Sequence, residues 1–419
     1  MINKAHISLP AAISIGIGGM IGAGIFSILG IVAQASGSAM WVSFLIGGIV
    51  ALFSTYSYAK LGATFPSAGG AVQFLFRGWG AGTLSGSINL FMWFGYIIAI
   101  ALYAQGFSAY CMTFFTHVPT AFLSKSIATG IVLLFTLLNM SGGGSVGKAE
   151  LIIVIIKVSI LILFAATGLF FVNLQNLSPV TWPPLKQILF GAGVLFIGYE
   201  GFGLVANAAA DMTNPKKTLP KALYLSVFIV ILIYLAVSIT VTGNLSIQEI
   251  SVARDFALAE AAKPFLGNIG FKLIAIAALF STASAINATL FGAANVSYMI
   301  ARDGELPSFF DRTEWRGATG GLLLTTFLVI TFILFFDLAG IAMMGSGAFL
   351  LIYAAVHAGH LRITNQTGAR PFLLWIALLL CLIMFVILEI YTFNQAPEAV
   401  YTMTGLLVIS FFLEKWYQA

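Results

Sequence analysis

Long apolar runs alternate with short polar connections along almost the whole chain. Runs near the 20 or so residues that cross a hydrocarbon core as helix fall at 9–35, 39–61, 83–115, 126–141, 147–172, 187–210, 219–243, 268–300, 318–336, 339–361, 371–393 and 397–414. The pattern predicts twelve spans in an all-α membrane protein, a single domain with no soluble module. The fourth and ninth runs are short and need little tilt to cross. The longest polar stretches, 243–267 and 302–317, are brief enough for helical or looped links.

Two of these runs are broken by glycine. Gly16-Ile17-Gly18-Gly19-Met20-Ile21-Gly22-Ala23-Gly24-Ile25-Phe26 interrupts the first and Phe196-Ile197-Gly198-Tyr199-Glu200-Gly201-Phe202-Gly203 the sixth. Backbone at membrane depth leaves the helix only where protein or an aqueous cavity satisfies its N–H and C=O groups. Matching interruptions in two halves therefore mark a site near the midplane. The breaks are five spans apart, an odd number, so the halves 9–172 and 187–361 cross in opposite senses as an inverted repeat of five plus five. Spans eleven and twelve, 371–414, lie outside it and are candidates for packing or homodimer contacts.

Composition excludes a wetted globular surface: mean hydropathy is +1.03, with 60% hydrophobic and 8% charged residues. Positive charge sets the orientation. With the N-terminus inside, Lys4, Lys60, Arg77, Lys148, Lys216, Lys217, Lys221, Arg302, Arg312, Arg316, Arg362, Arg370 and Lys415 are cytoplasmic, 13 of the 19 basic residues. Both termini are then cytoplasmic. The net charge of +5 reads as topology rather than as a nucleic-acid surface. No cleavable signal peptide is expected, because the first apolar run is too long for one. Cys111 and Cys381 sit in apolar runs and predict neither disulfide nor metal site. No cofactor, metal set, catalytic nucleophile or HExxH pattern is found, which argues against an enzyme, and filter loops or charge rings that would suggest a channel are absent.

The motifs resemble a family. Gly22-Ala23-Gly24-Ile25-Phe26-Ser27, Pro66-Ser67-Ala68-Gly69-Gly70, Gly201-Phe202-Gly203, Asn214-Pro215-Lys216-Lys217, Leu219-Pro220-Lys221-Ala222, Asn287-Ala288-Thr289, Asn295-Val296-Ser297-Tyr298 and Ala301-Arg302-Asp303-Gly304-Glu305-Leu306-Pro307 occur in the order seen in the amino acid, polyamine and organocation (APC) superfamily. The chain is most similar to its prokaryotic proton-coupled permeases of the ApcT kind. The resemblance implies a LeuT-like fold, amino acid substrates, alternating access and a place in a prokaryotic cell membrane.

Residue chemistry agrees for a zwitterion. Bare backbone at Gly22, Ala23, Gly24 and Ile25 offers N–H groups at the positive end of a half-helix to a carboxylate. Carbonyls freed near Gly19 and Met20, and near Phe196, Ile197 and Gly198, suit an ammonium. Close helix packing is the bland alternative for these glycines. Met92, Tyr96, Phe202, Ala285 and Met344, with Ile25, are candidates for the side-chain pocket, Phe196 or Phe202 for its gate.

Lys157 lies mid-span among Ile152-Ile153-Val154-Ile155-Ile156 and Val158-Ser159-Ile160-Leu161, about ten residues from Lys148. A charge there is costly and marks function more often than snorkelling. The resemblance puts a lysine here where sodium sits in sodium-coupled relatives. Charged Lys157 is expected to link carbonyls of the first span to Ser281, Thr282 or Ser284 of span eight, and proton loss to release them. Glu200 is the second charge counted inside the membrane, a proton carrier or a partner for freed N–H groups in an unwound turn. With none left to pair with an ionised side chain, a neutral and apolar amino acid is expected. The open alternatives are a sodium-independent exchanger and a non-transporting sensor. His357 and His360, spaced i,i+3, read as interfacial side chains, and Trp79, Trp182, Trp315 and Trp416 as an aromatic belt.

Overall fold

The computed structural model describes residues 7–67, 69–115, 120–140, 146–302, 313–315 and 318–418. Lys4, Ala68, the Asp303-to-Pro307 part of the last motif, Arg312 and Arg316 lie outside these residues, as does the side chain of Trp315.

The first apolar run is three helices. Ser8 caps α1 (Leu9–Met20) by accepting from the Ala11 N–H, with proline in the first turn where no donor is needed. The ladder then stops: Ile21 (φ −79°, ψ 82°) and Gly22 (φ −133°, ψ −139°) leave helical space before α2 (Ala23–Phe26). α3 (Leu29–Ser36) follows, and Gly37 at φ +52° turns the chain into α4 (Met40–Thr64).

Between the second and third runs lies α5 (Ala71–Trp79), which hydropathy did not predict. It buries Val72, Phe74 and Leu75 and is too short to cross. α6 (Thr83–Met112), α7 (Ala121–Met140) and α8 (Val146–Gly168) complete the first half. The sixth run is α9 (Leu185–Val194), a 3₁₀ stretch at Leu195–Phe202, and α10 (Gly203–Asn207). The second break thus differs from the expected unwound turn: it is a tightened helix. α11 (Pro215–Asn244), α12 (Ile247–Ala253), α13 (Ala257–Glu260) and α14 (Lys263–Arg302, bent at Gly267) come next. A small antiparallel ribbon, Thr313–Trp315 with Ala318–Thr319, interrupts the all-helical pattern. α15 (Gly320–Phe335), α16 (Leu338–Leu361), α17 (Thr364–Thr367), α18 (Pro371–Gln395) and α19 (Pro397–Gln418) end the chain.

Among the described residues, nine helical stretches are long and apolar enough to cross a membrane, and α1 and α15 are shorter apolar helices. This is a multi-pass membrane protein. α6 and α16 form its centre, 94% and 89% buried over their most apolar windows, whereas α7 is 17% buried and α8 and α18 33%. Helices apolar all round but half exposed face lipid, so Leu133, Ile152, Ile383 and Val386 stand outward.

Candidate functional site

The two broken runs cross backbone to backbone. A methyl group on Gly24 would stand 2.4 Å from the Gly198 Cα, and one on Gly201 2.1 Å from the Gly19 carbonyl carbon. Gly19, Gly24, Gly198 and Gly201 are therefore closely packed here, with Ala23, Ile25, Phe196 and Ile197 buried around them.

Breaking α1 frees carbonyls that must find donors. The Lys157 ammonium of α8, 1% exposed, donates to the Gly18 carbonyl at 2.9 Å and the Ile21 carbonyl at 2.5 Å. The Ser281 hydroxyl of α14 donates to the same Ile21 carbonyl at 2.8 Å. The Tyr234 hydroxyl of α11 donates to the Met20 carbonyl at 2.6 Å and lies 3.0 Å from the Gly198 carbonyl, tying the two breaks together. Thr282 instead bonds back to Ala278 within its own helix, and Ser284 is buried one turn beyond Ser281. The N–H groups of Ala23, Gly24 and Ile25 precede the first internal bond of α2, from Phe26 to Gly22 at 3.5 Å.

The 3₁₀ stretch is held from α16. The Ser346 hydroxyl donates to the Val194 carbonyl at 2.6 Å and accepts from the Ile197 N–H at 3.0 Å. The Tyr353 hydroxyl donates to the Glu200 main-chain carbonyl at 2.8 Å. Glu200 is 4% exposed. Phe196 and Phe202 both pack on Tyr353, with centroids 5.8 and 5.2 Å away, and Phe202 also meets Tyr58 at 5.3 Å. Tyr96 packs edge-on to Phe349.

A cavity of about 540 Å³ enters from the side of Ile7 and Asp211 and reaches Gly18, Gly19 and Ala285. Leu204, Asn207, Ala288, Thr289, Asn295 and Met299 line it. Ala285 is the one proposed pocket residue on its wall; Met92, Tyr96 and Met344 are buried away from it. Asn287 faces α7 instead, accepting from Asn139 at 2.8 Å.

On the opposite side the connection 254–256 caps α3. A side chain on Gly30 would collide with the Arg254 carbonyl, and Arg254 holds a left-handed φ of +40° while its guanidinium reaches Asp337 at 3.4 Å. Burial pushes the Asp255 carboxyl above its ordinary value; Arg254 opposes this and Asp337 adds to it.

Two expectations are corrected. His357 and His360 are fully buried, not interfacial, because their face of α16 packs on α4. Glu200 and Lys157 are not the only charges in the spans. Glu389 of α18 sits against Gly347 and Glu414 of α19 against Gly86, and each has a buried carboxyl oxygen with no hydrogen-bond partner among the described residues. Trp79 donates to the Ala355 carbonyl at 3.0 Å and lies under Arg362, so it makes a contact with α16 and the connection after it. Sequence reasoning also missed Tyr234, Ser346 and Tyr353; the signal was a hydroxyl inside an apolar run, which has to bond to something.

A family model for amino acid permeases matches residues 7–412. The chain belongs to the amino acid permease family, within the APC superfamily. The permease is 39% identical to an uncharacterized protein of Methanocaldococcus jannaschii, over 99% of this chain and 96% of that one. It is 34% identical to the inner membrane transport protein YbaT of Escherichia coli, over 96% and 94%. The serine/threonine exchanger SteT of Bacillus subtilis is 30% identical over 73% of the permease and 70% of its own length. The permease is thus a membrane transport protein and not an enzyme.

Proposed function

We propose that this permease is a proton-coupled secondary transporter of neutral, broadly apolar L-amino acids, working by alternating access in a prokaryotic cell membrane. In this reading twelve spans cross the bilayer as an inverted repeat, 9–172 and 187–361, with 371–414 added and both termini cytoplasmic. The cavity beside Asp211 is then the inward path, and the Arg254 connection closes the outward one.

The observation that carries the reading is the Lys157 ammonium bound to the Gly18 and Ile21 carbonyls. A charged amine donates more strongly to a carbonyl than a neutral one. Protonated Lys157 therefore holds the break in α1 closed, and loss of its proton frees these acceptors for the ammonium of a substrate whose carboxylate meets the N–H groups of Ala23, Gly24 and Ile25. Glu200 is the second proton carrier in this scheme. The lining of Ala285, Ala288, Leu204 and Met299 with the uncharged amides Asn207 and Asn295, Asp211 being the one charged residue on the wall, supports a neutral substrate. A sodium-independent neutral exchanger is the second reading, favoured by the name of the SteT relative.

Uptake of labelled neutral amino acids into proteoliposomes separates the two. Accumulation in empty vesicles under an inside-alkaline pH gradient is expected; uptake restricted to preloaded vesicles and indifferent to pH would make the permease an exchanger.

A further inference from the structure

A second cavity, of about 500 Å³, lies beside the 254–256 connection and shares no wall residue with the one that reaches Gly19. Its size falls within the roughly 300–1,000 Å³ of small-ligand sites. The buried part of its wall is apolar: Ile31 of α3, Phe190 of α9 and Met343 of α16. These three helices bear on the breaks. α3 follows the first, α9 leads into the 3₁₀ stretch, and Met343 stands one turn before the Ser346 that holds that stretch. The exposed part of the wall is polar, with the guanidinium of Arg254, the carboxylates of Asp337 and Glu398, and the amides of Gln34 and Gln395.

Arg254 and Asp337 hold each other loosely. The Arg254 Nη2 is 3.4 Å from the Asp337 Oδ2 and its Nε 3.9 Å from the Asp255 Oδ1, and the Arg254 and Asp337 side chains are 48% and 65% exposed. An ion pair so long and so exposed contributes little and yields to a better partner. Asp337 has a separate task at its other oxygen, which accepts from the Gly340 N–H at 2.8 Å and caps α16. Arg254 is the one non-glycine residue with a left-handed φ among the described residues, and its main chain is seated on Gly30. Strain of this kind persists where the surroundings impose it, and it gathers at ligand clamps. The wall carries charges of both signs, and no group of three His, Cys, Asp or Glu side chains suited to a metal ion forms among the described residues. A lone anion would be repelled by the two carboxylates and a lone cation by the guanidinium, whereas a zwitterion satisfies both signs at once. A gate pair alone asks for neither Glu398 nor an apolar hollow behind it.

We propose that this cavity is a second binding site for a zwitterionic amino acid, separate from the crossing of the broken helices. The ligand carboxylate takes the Arg254 guanidinium, whose fork of N–H donors fits a carboxylate. The ammonium goes to the Asp337 Oδ2 and to Glu398, the amides of Gln34 and Gln395 donate or accept as the ligand requires, and an apolar side chain rests on Ile31, Phe190 and Met343. Binding parts Arg254 from Asp337 and loosens the connection seated on Gly30, so an amino acid captured here unlatches α3. The inference rests on the amino acid transport reading and deepens it by adding a site that is filled before the one at the breaks.

The test uses full-length permease with Gln395→Cys as the reporter. Alkylation by a charged maleimide is followed with and without L-alanine, L-serine or L-leucine, and the permease lacking the substitution supplies the background from Cys111 and Cys381. At least one of the three amino acids is expected to slow alkylation, methylamine and acetate to leave it unchanged, and Arg254→Gln or Glu398→Gln to remove the protection. Glu398 is exposed in the first turn of α19, so its variant reads the site where Arg254→Gln disturbs the connection. Protection should persist in Gly201→Ala, which disturbs the crossing of the broken helices. Alkylation that no amino acid slows, or protection that survives in both charge variants, overturns the site. Protection lost in Gly201→Ala overturns it as well, because the binding is then at the breaks. Uptake of the same amino acids into proteoliposomes is measured alongside: uptake without protection overturns the second site alone, whereas protection without uptake upholds the site and overturns the transport reading.

Discussion

Gly201→Ala tests whether the crossing of the two broken helices is rigid. The added methyl would lie 2.1 Å from the carbonyl carbon of Gly19, 2.4 Å from its oxygen and 2.4 Å from the Met20 nitrogen. All three are main-chain atoms, so no side chain can rotate away. Comfortable carbon contacts begin near 3.5 Å, which forces the backbones apart by roughly 1.4 Å at this point. Overpacking of this kind costs about 1–3 kcal/mol, and at about 2 °C or less per kcal/mol for a chain of this length the melting temperature should fall by up to roughly 6 °C. The functional effect should be larger. The displaced Met20 carbonyl lies 2.6 Å from the Tyr234 hydroxyl and is two residues from the Gly18 carbonyl bound by Lys157, so the site loses its geometry before the protein loses its fold. The control is Gly130→Ala in α7, where nothing lies within 4 Å of the new methyl and helix propensity favours alanine by up to about 1 kcal/mol. Melting by intrinsic fluorescence in detergent and uptake in proteoliposomes are the two assays. If Gly201→Ala melted and transported like Gly130→Ala, the close crossing would be refuted.

Tyr234→Phe removes the hydroxyl that joins Met20 to Gly198 and leaves the Met20 carbonyl with the Gly22 N–H alone; a loss of about 1 kcal/mol in stability and a rise in the half-saturating substrate concentration are expected, and unchanged transport would show the tie is idle. Ser246→Ala should loosen α12, because Ser246 accepts from the Glu249 N–H and Glu249 reaches back to Ser246; faster hydrogen exchange over 247–253 is the readout. These bonds from Ser246 hold the Glu249 carboxyl below its ordinary value. A depressed carboxylate stabilises above its unfolded pKa, so protection of 247–253 should be flat from about pH 6 to 8 and decline as pH falls below about 4; a decline on raising the pH instead would reverse the sign.

Much of this was legible in the sequence, and for identifiable reasons. The break at Ile21-Gly22 and the contact of Lys157 with carbonyls follow from the rule that polar groups at membrane depth must be satisfied, which leaves few partners to choose from. The choice of Ser281 over Thr282 was not readable, since it depends on which face of α14 meets α1. α5 escaped because it is nine residues long and a membrane-length window averages it away. The 3₁₀ form of Leu195–Phe202 depends on Ser346 reaching Val194 and Ile197 from 149 or more residues away. Burial of His357 and His360 likewise rests on Ser54 and Ser57 arriving from α4. Glu389 and Glu414 were visible as letters, but their burial against Gly347 and Gly86 depends on how α18 and α19 dock.

The most direct test of the central claim is transport by Lys157→Ala in proteoliposomes, measured both as accumulation under an inside-alkaline gradient and as exchange in preloaded vesicles. Loss of accumulation with exchange intact is the predicted result, because the break in α1 would no longer be held and released by a proton. Accumulation that keeps its dependence on the gradient in the variant would contradict it and leave Lys157 as a structural cation.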